Sequence, residues 1–229
     1  MQTISRRTLA DTMLYQDIPV LTYTIHYPEF TTTCSQAAAQ SINRFHAFQS
    51  KKSEAYCRTV LYPQAMEQAR YVQKNQFPFH GYEFLSTYQI TYNSDCITSL
   101  YTDQYSFLGG AHGNTVRESH TWDFSTGNAL GLSDFFPDNP GFTEEIFRGI
   151  EQQIEQQLKT SPSAYFDDYK ALLRGNFNIN GFYLRPDGIV IYYQQYDIAP
   201  YASGIPEFFF PFVSCPPGSV ICFPSQTNL

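Results

Sequence analysis

The sequence predicts an α+β fold: antiparallel sheets, each packed against a long helix, in two related halves. Three observations carry that expectation. Apolar and polar residues alternate over several short stretches, the pattern of half-buried strands. Two longer stretches carry apolar residues three or four positions apart, the pattern of an amphipathic helix. The order is strand, helix, strands, helix, strands, without the βαβ alternation of a parallel sheet.

The first strand is read over 18–30, where Leu21, Tyr23, Ile25 and Tyr27 alternate with Thr22, Thr24 and His26, and Pro28 marks its end or its edge. From Ser35 to about Asn75 there is no glycine. Ala38, Ile42, Phe45 and Phe48 form one face of a helix there, with Ser35 as its N-cap. Pro63 should break or kink it. Strands follow over 82–93, 96–108 and 115–124, the first two joined by a turn at Asn93-Ser94-Asp95. Short connections make this an antiparallel meander. A further turn lies at Thr126-Gly127-Asn128, and a short element runs from Leu130 to Phe136.

A second helical stretch runs from Gly141 to about Arg174, interrupted at Ser161-Pro162-Ser163. Phe142, Ile146, Ile150, Ile154 and Leu158 form its apolar face, and Gln152, Gln153, Gln156 and Gln157 are read as its solvated side. Phe182–Leu184 and Ile189–Tyr193 flank the turn Arg185-Pro186-Asp187-Gly188 and make a hairpin. The last strand runs from Phe208 to Val213, and the tail from Pro216 is read as loose. The halves are 15–110 and 111–225, each pairing a helix with a meander in what should be one compact body. No residue-level repeat links them.

Composition narrows the function classes. A chain of 229 residues with 42% hydrophobic and 15% charged residues is built to fold. Eighteen Tyr and 20 Phe supply core and sheet faces, and exposed tyrosines make contact surface for sugars or proteins. The net charge of −7, with no basic stripe, argues against nucleic acid as a partner. No run of about 18 apolar residues is present to span a membrane. Asp11 falls where the apolar region of a leader would begin, so residues 1–11 do not read as a signal peptide; the chain as written reads either as cytoplasmic or as lacking its native leader. Cys34, Cys57, Cys96, Cys215 and Cys222 include no CxxC. Five free thiols are expected, with a Cys215–Cys222 bridge as the alternative. No cofactor and no metal are expected.

Three stretches stand out together. They are Tyr105-Ser-Phe-Leu-Gly-Gly-Ala-His-Gly-Asn114, then Trp122-Asp-Phe-Ser-Thr-Gly127 with Leu130-Gly-Leu-Ser-Asp-Phe-Phe136, then Gln195-Tyr-Asp-Ile-Ala-Pro-Tyr-Ala-Ser-Gly204. They resemble a bacterial family of extracytoplasmic domains whose best-known member is the sensor domain of a lysozyme-binding anti-sigma factor. The same module precedes a polysaccharide deacetylase domain in some cell-wall enzymes. The resemblance runs from about 100 to 213, and the strand and helix before it are similar to the N-terminal half that often accompanies it. It implies an α+β fold and a non-catalytic recognition role near the cell envelope, with the deacetylase chemistry belonging to the other domain.

The candidate binding residues are Tyr105, Gly109, Gly110, His112, Asn114, Tyr196, Asp197 and Tyr201. Gly109 to Asn114 can form a nest of N–H groups for an anion or a sugar hydroxyl, with His112 donating, accepting or titrating inside it. The competing reading is a glycine-rich turn in which His112 bonds a neighbouring carbonyl. Tyr196 and Tyr201 can stack on a ligand ring. Otherwise Asp197 caps a backbone turn with Tyr201 packed over it. His112 and His120, with Asp103, Glu118 or Asp123, match no metal signature. A Cys96–His112–Asp123 triad is conceivable, but Cys96 reads better as a small buried group. The expected function is therefore recognition of a protein (lysozyme-like) or a cell-wall glycan. The alternatives are a small hydrolase using His112 as acid or base, and a regulatory interaction domain.

Overall fold

The computed structural model describes residues 1–75, 78–136, 139–214 and 223–224. The α+β class holds. The chain forms two compact units, one of Gln2–Gln89 with Thr102–Arg117, the other of Met1, Ile90–Tyr101 and Glu118–Leu229.

The first unit opens on a hairpin that the sequence reading left out. Strand β1 (Thr3–Tyr15) pairs antiparallel with β2 (Ile18–Thr31), from Thr3 opposite Thr31 to Tyr15 opposite Ile18. Gln16 and Asp17 close it at φ 48 and 65, the left-handed pair that a two-residue hairpin turn needs. Asp11 breaks the apolar alternation of β1 because it is there for charge: its carboxylate meets the Arg58 guanidinium at 2.6 Å.

Ser35 caps helix α1 (Gln36–Tyr56) with its hydroxyl 3.3 Å from the Ala38 N–H. Helix α2 (Tyr62–Asn75) continues the same run through one π turn, Cys57–Leu61. There the Tyr62 N–H reaches back five residues to the Cys57 carbonyl. Proline has no N–H and its ring meets the carbonyl four residues back, so the wider turn absorbs Pro63 without a break. Cys57, Leu61, Ala65 and Ala69 then line one seam, all at most 4% exposed. They pack on Val20, Leu21, Tyr23 and Ile25 of β2 and on Tyr82 and Phe84 of β3 (Tyr82–Ser94). The small residues let the helix lie close to the sheet. The face of α1 differs from the expected one. Ala38, Ala39, Ile42, His46 and Ser50 are buried, and Phe48 is 69% exposed, because Ala38 and Ile42 set a four-residue phase that His46 and Ser50 continue.

The helices return the chain to pair β3 parallel to β2, Leu21 opposite Tyr82 through Ile25 opposite Ser86. A helical crossover makes such a pair, so the sheet is not wholly antiparallel. With β4 (Ile97–Phe107), β5 (Asn114–Asp123) and β6 (Ala129–Leu130), the neighbours run β1-β2-β3-β4-β5-β6. The division between the units falls within β3, β4 and β5.

The second unit is built on α3 (Phe142–Leu158), α4 (Tyr169–Gly175) and strands β7 (Phe182–Arg185), β8 (Gly188–Tyr192), β9 (Glu207–Ser214) and β10 (Phe223–Pro224), ordered β10-β9-β8-β7. Phe142, Ile146, Ile150 and Ile154 form the expected apolar face and pack with Leu184, Ile189, Ile191 and Phe208. Buried hydroxyls are satisfied, as burial requires. Ser99 Oγ lies 2.8 Å from Thr121 Oγ1 and accepts the Leu184 N–H at 2.9 Å. The Tyr192 hydroxyl donates to Ser119 Oγ at 3.1 Å. Among the described residues no helix is long and apolar enough to cross a membrane.

The cysteines overturn the reading of five free thiols. Cys34 and Cys96 are disulfide-bonded. Cys57 alone among the described residues is a free thiol, and its burial pushes its pKa up to about 12. Cys96 sits at φ 66 in the turn before β4 rather than in the strand. Cys215 and Cys222 and the tail after Pro216 lie outside the described residues, apart from β10.

Reduction should lower the free energy of unfolding by at least about 2 kcal/mol, the usual cost of losing a native bridge. Urea unfolding with and without dithiothreitol measures it. Coincident midpoints would mean that Cys34 and Cys96 are thiols.

Candidate functional site

The glycine-rich loop between β4 and β5 is held by packing. Gly109 adopts φ +76, and a Cβ there would come within 2.9 Å of Gln68 Nε2 and 3.1 Å of the His80 carbonyl. Gln68, on α2, accepts the Tyr82 hydroxyl at 2.7 Å. The Tyr105 ring covers Gly113 so closely that a Cβ there would run into it. Gly110 faces open space. His112 is exposed, and its Nδ1–H donates to the Gly113 carbonyl at 2.9 Å. Asn114 is exposed at the start of β5. Tyr105, Gly109 and His112 are thus engaged with their own loop and with α2, the arrangement the turn reading anticipates.

Tyr196, Asp197 and Tyr201 belong to the second unit. Asp197 Oδ2 accepts the Gln194 N–H at 2.8 Å, and the Asp197 carbonyl accepts from Asn176 Nδ2 at 2.6 Å. Partial burial holds this carboxyl above the usual aspartate range. Tyr196 takes φ 68 and stacks on Tyr201 with ring centroids 5.8 Å apart. Tyr196 remains 49% exposed. Asp197 builds the turn, and the turn presents two stacked tyrosines.

The groups weighed for catalysis have structural partners. Asp123 accepts from the Ser125 N–H at 2.7 Å and the Thr126 hydroxyl at 2.9 Å. Asp103 takes a two-pronged bond from the buried Arg117, both arms 2.7 Å. Cys96 is in a disulfide. His120 stacks on Trp122 at 5.7 Å, and burial lowers its pKa to about 4. Among the described residues no group of three His, Cys, Asp or Glu side chains is placed to hold a metal.

A cleft of about 490 Å³ opens beside the Tyr201 turn, within the second unit. One wall is the end of α3 and the loop after it, with Gln157, Ser161, Ser163 and Tyr165. The other is Ala202–Glu207. The Tyr165 hydroxyl donates to Gln157 Oε1 at 2.5 Å, and Ser203 Oγ donates to the Ala164 carbonyl at 2.8 Å. Burial raises the Tyr165 pKa to about 12, so the phenol stays neutral.

One turn earlier on α3, Gln153 clamps β9, the strand that leads on from the opposite wall. Its Nε2 donates to the Phe209 carbonyl at 3.0 Å, and its Oε1 accepts the Phe209 N–H at 3.1 Å. The expected solvated side of this helix therefore holds a strand. Gln153 and Gln157 border the stripe of Ile150 and Ile154 four residues apart, and that position was the available signal.

Comparison with known proteins divides the chain in the same places as the two sets of candidate residues. Residues 16–115, which include the glycine-rich loop, match the family model "Deacetylase PdaC". Residues 133–213, which include the cleft and the tyrosine stack, match the model of DUF3298, a protein family of unknown function. The peptidoglycan-N-acetylmuramic acid deacetylase PdaC of Bacillus subtilis is 22% identical over 191 residues, which cover 81% of this chain and 36% of that protein. The chain thus spans about a third of the length of this curated relative. A DUF3298 family crystal structure from Bacteroides fragilis superposes with a TM-score of 0.65 at 19% identity, covering 92% of this chain and 90% of that one. Another from Pseudomonas aeruginosa gives 0.56 at 19% identity, covering 91% of each chain. The chain thus combines a region that matches the PdaC model with one that matches the DUF3298 model, and it shares the fold of these two DUF3298 structures.

Two outcomes follow. Replacing Gln153 with Leu strands the Phe209 N–H and carbonyl and should cost about 1–3 kcal/mol. Urea unfolding reads the loss, and an unchanged midpoint would remove the clamp. His120 gives a pH dependence. Its folded pKa of about 4 lies below the ordinary 6.5. The unfolded chain therefore binds the proton first, and stability is full above pH 6.5 and falls as the pH drops toward 4, by up to about 3 kcal/mol. His120→Gln should flatten that stretch of the stability–pH curve, and a curve of unchanged slope would clear His120.

Proposed function

We propose that this chain is a non-catalytic recognition module that binds cell-wall glycan. The observation that carries the reading is the open cleft of about 490 Å³, lined by Ala202 and Ser203 of the turn whose Tyr201 stacks on the exposed Tyr196. Stacked aromatic faces beside hydroxyl and amide groups suit a sugar, whose C–H faces are apolar and whose edges are polar. Relatedness to a peptidoglycan deacetylase over about a third of its length favours a cell-wall association and the accessory part of such an enzyme. The disulfides at Cys34 and Cys96 favour an oxidising compartment. Hydrolysis has less support, since His112, Asp123, Asp197 and Cys96 are each committed to the fold.

A protein partner is the second reading. Phe48 and Tyr71, on the helical run of the first unit, are 69% and 62% exposed.

The test is co-sedimentation of the purified chain with peptidoglycan sacculi, alongside a titration with hen lysozyme. Saturable retention on sacculi is expected, and removing one ring with Tyr196→Ala should weaken it about 3- to 10-fold, the value of an aromatic pair. Binding to lysozyme alone would transfer the role to the helical surface. Binding to neither would sink recognition of the cell wall.

A further inference from the structure

We infer that the cleft between the end of α3 and Ala202–Glu207 is a subsite for an uncharged, N-acetylated sugar. The inference rests on the recognition reading above and assigns it a place and a ligand class. Among the described residues Glu207 is the one charged side chain lining the cleft, and no lysine or arginine lines it. A phosphate or carboxylate ligand would meet a carboxylate and no cation. The preferred ligand is therefore neutral.

Hydrogen bonding comes next. Gln157 uses Oε1 to accept from Tyr165, which turns its amide Nε2 away from that bond. Neither this nitrogen nor the hydroxyls of Ser161 and Ser163 bonds another described residue, so all three remain for a ligand. Tyr165, held neutral, offers its oxygen as an acceptor. Neutral donors and acceptors on a rim suit hydroxyls and an amide carbonyl. The apolar part of the lining is Ala164, Ala202, Ile205 and Pro206. It gives an acetyl methyl and a ring face somewhere to bury. The volume, about 490 Å³, falls in the range of small-ligand sites, about 300–1,000 Å³.

The experiment titrates the whole chain with chitotriose, following amide shifts or heat, against cellotriose, which has the same linkage and no acetamido group. Chitotriose should bind saturably and cellotriose at least 10-fold more weakly, since an unfilled methyl site and an unpaired amide donor are lost together. Ser163→Val and Gln157→Leu lie on the exposed rim and should each weaken chitotriose binding about 5-fold; Ser163→Val, which breaks no bond to another described residue, should do so with the thermal midpoint unchanged. N-acetylmuramic acid should bind more weakly than N-acetylglucosamine, and Glu207→Gln should narrow the gap. Equal binding of chitotriose and cellotriose would overturn the acetamido assignment. Chitotriose binding unaffected by both rim variants, or retention on sacculi without chitotriose binding, would overturn the cleft as the subsite while leaving recognition of the wall standing. Loss of sacculus retention itself would instead remove the recognition reading.

Discussion

The second unit depends on the bond between the Gln153 side chain and the backbone of Phe209. A carboxamide has the donor and acceptor of a peptide group, so Gln153 serves strand β9 as a one-residue neighbour. Beside it Gly149 lets the Phe210 ring come within 2.7 Å of where a Cβ would stand. The helix and the strand are therefore fixed both by contact and by directional bonds. The isoleucine face alone would hold them together, but hydrophobic contact is not directional. Once α3 and β9 are locked, Gln157 one turn on and Glu207 two residues before Phe209 must face each other across a gap. That gap is the cleft, and its dimensions follow from the lock.

The first unit solves a different problem with similar means. Its single helical run has to cross β2 and β3 over many residues, carrying a proline. The π turn at Cys57–Leu61 absorbs Pro63, and the seam of Cys57, Leu61, Ala65 and Ala69 stays on the sheet. The glycine-rich loop belongs to the same construction. Gly109 accommodates Gln68 from the helix and Gly113 accommodates the Tyr105 ring. These glycines are explained by close packing, which is why the loop carries less of the functional argument than its composition suggests.

At 19% identity the shared DUF3298 architecture establishes the fold and leaves the ligand to be argued from the site. Core positions keep their apolar character under heavy substitution because volume and pattern suffice to fold a chain. A cleft is different. Its chemistry lies in a few rim side chains, such as Ser161, Ser163 and Gln157, whose replacement changes binding and leaves packing intact.

Much of this was legible in the residues themselves. Period-two alternation marked β2 and β3, four-residue spacing marked α3, Ser35 marked a helix start, and Arg185-Pro186-Asp187-Gly188 marked the hairpin of β7 and β8. Each is a local pattern, set by backbone geometry and by which side of an element must be dry. The resemblance carried by Tyr105–Asn114 and Gln195–Gly204 pointed to the family. What local pattern could not supply was who meets whom. Strand β1 hid behind Asp11, whose purpose is a partner 47 residues away. The disulfides at Cys34 and Cys96 carried no spacing signature. The parallel pairing of β2 with β3 depends on where a crossover lands. Gln153 and Gln157 read as solvated because a glutamine is polar in any sequence, and only a strand brought within 3.0 Å makes one of them a clamp. The sequence by itself determined most of the elements, the dry faces of β2 and α3, and a family resemblance. The tertiary structure alone decided the pairings and the cleft, because a site built from residues some 50 positions apart exists only once long-range packing has closed the distance.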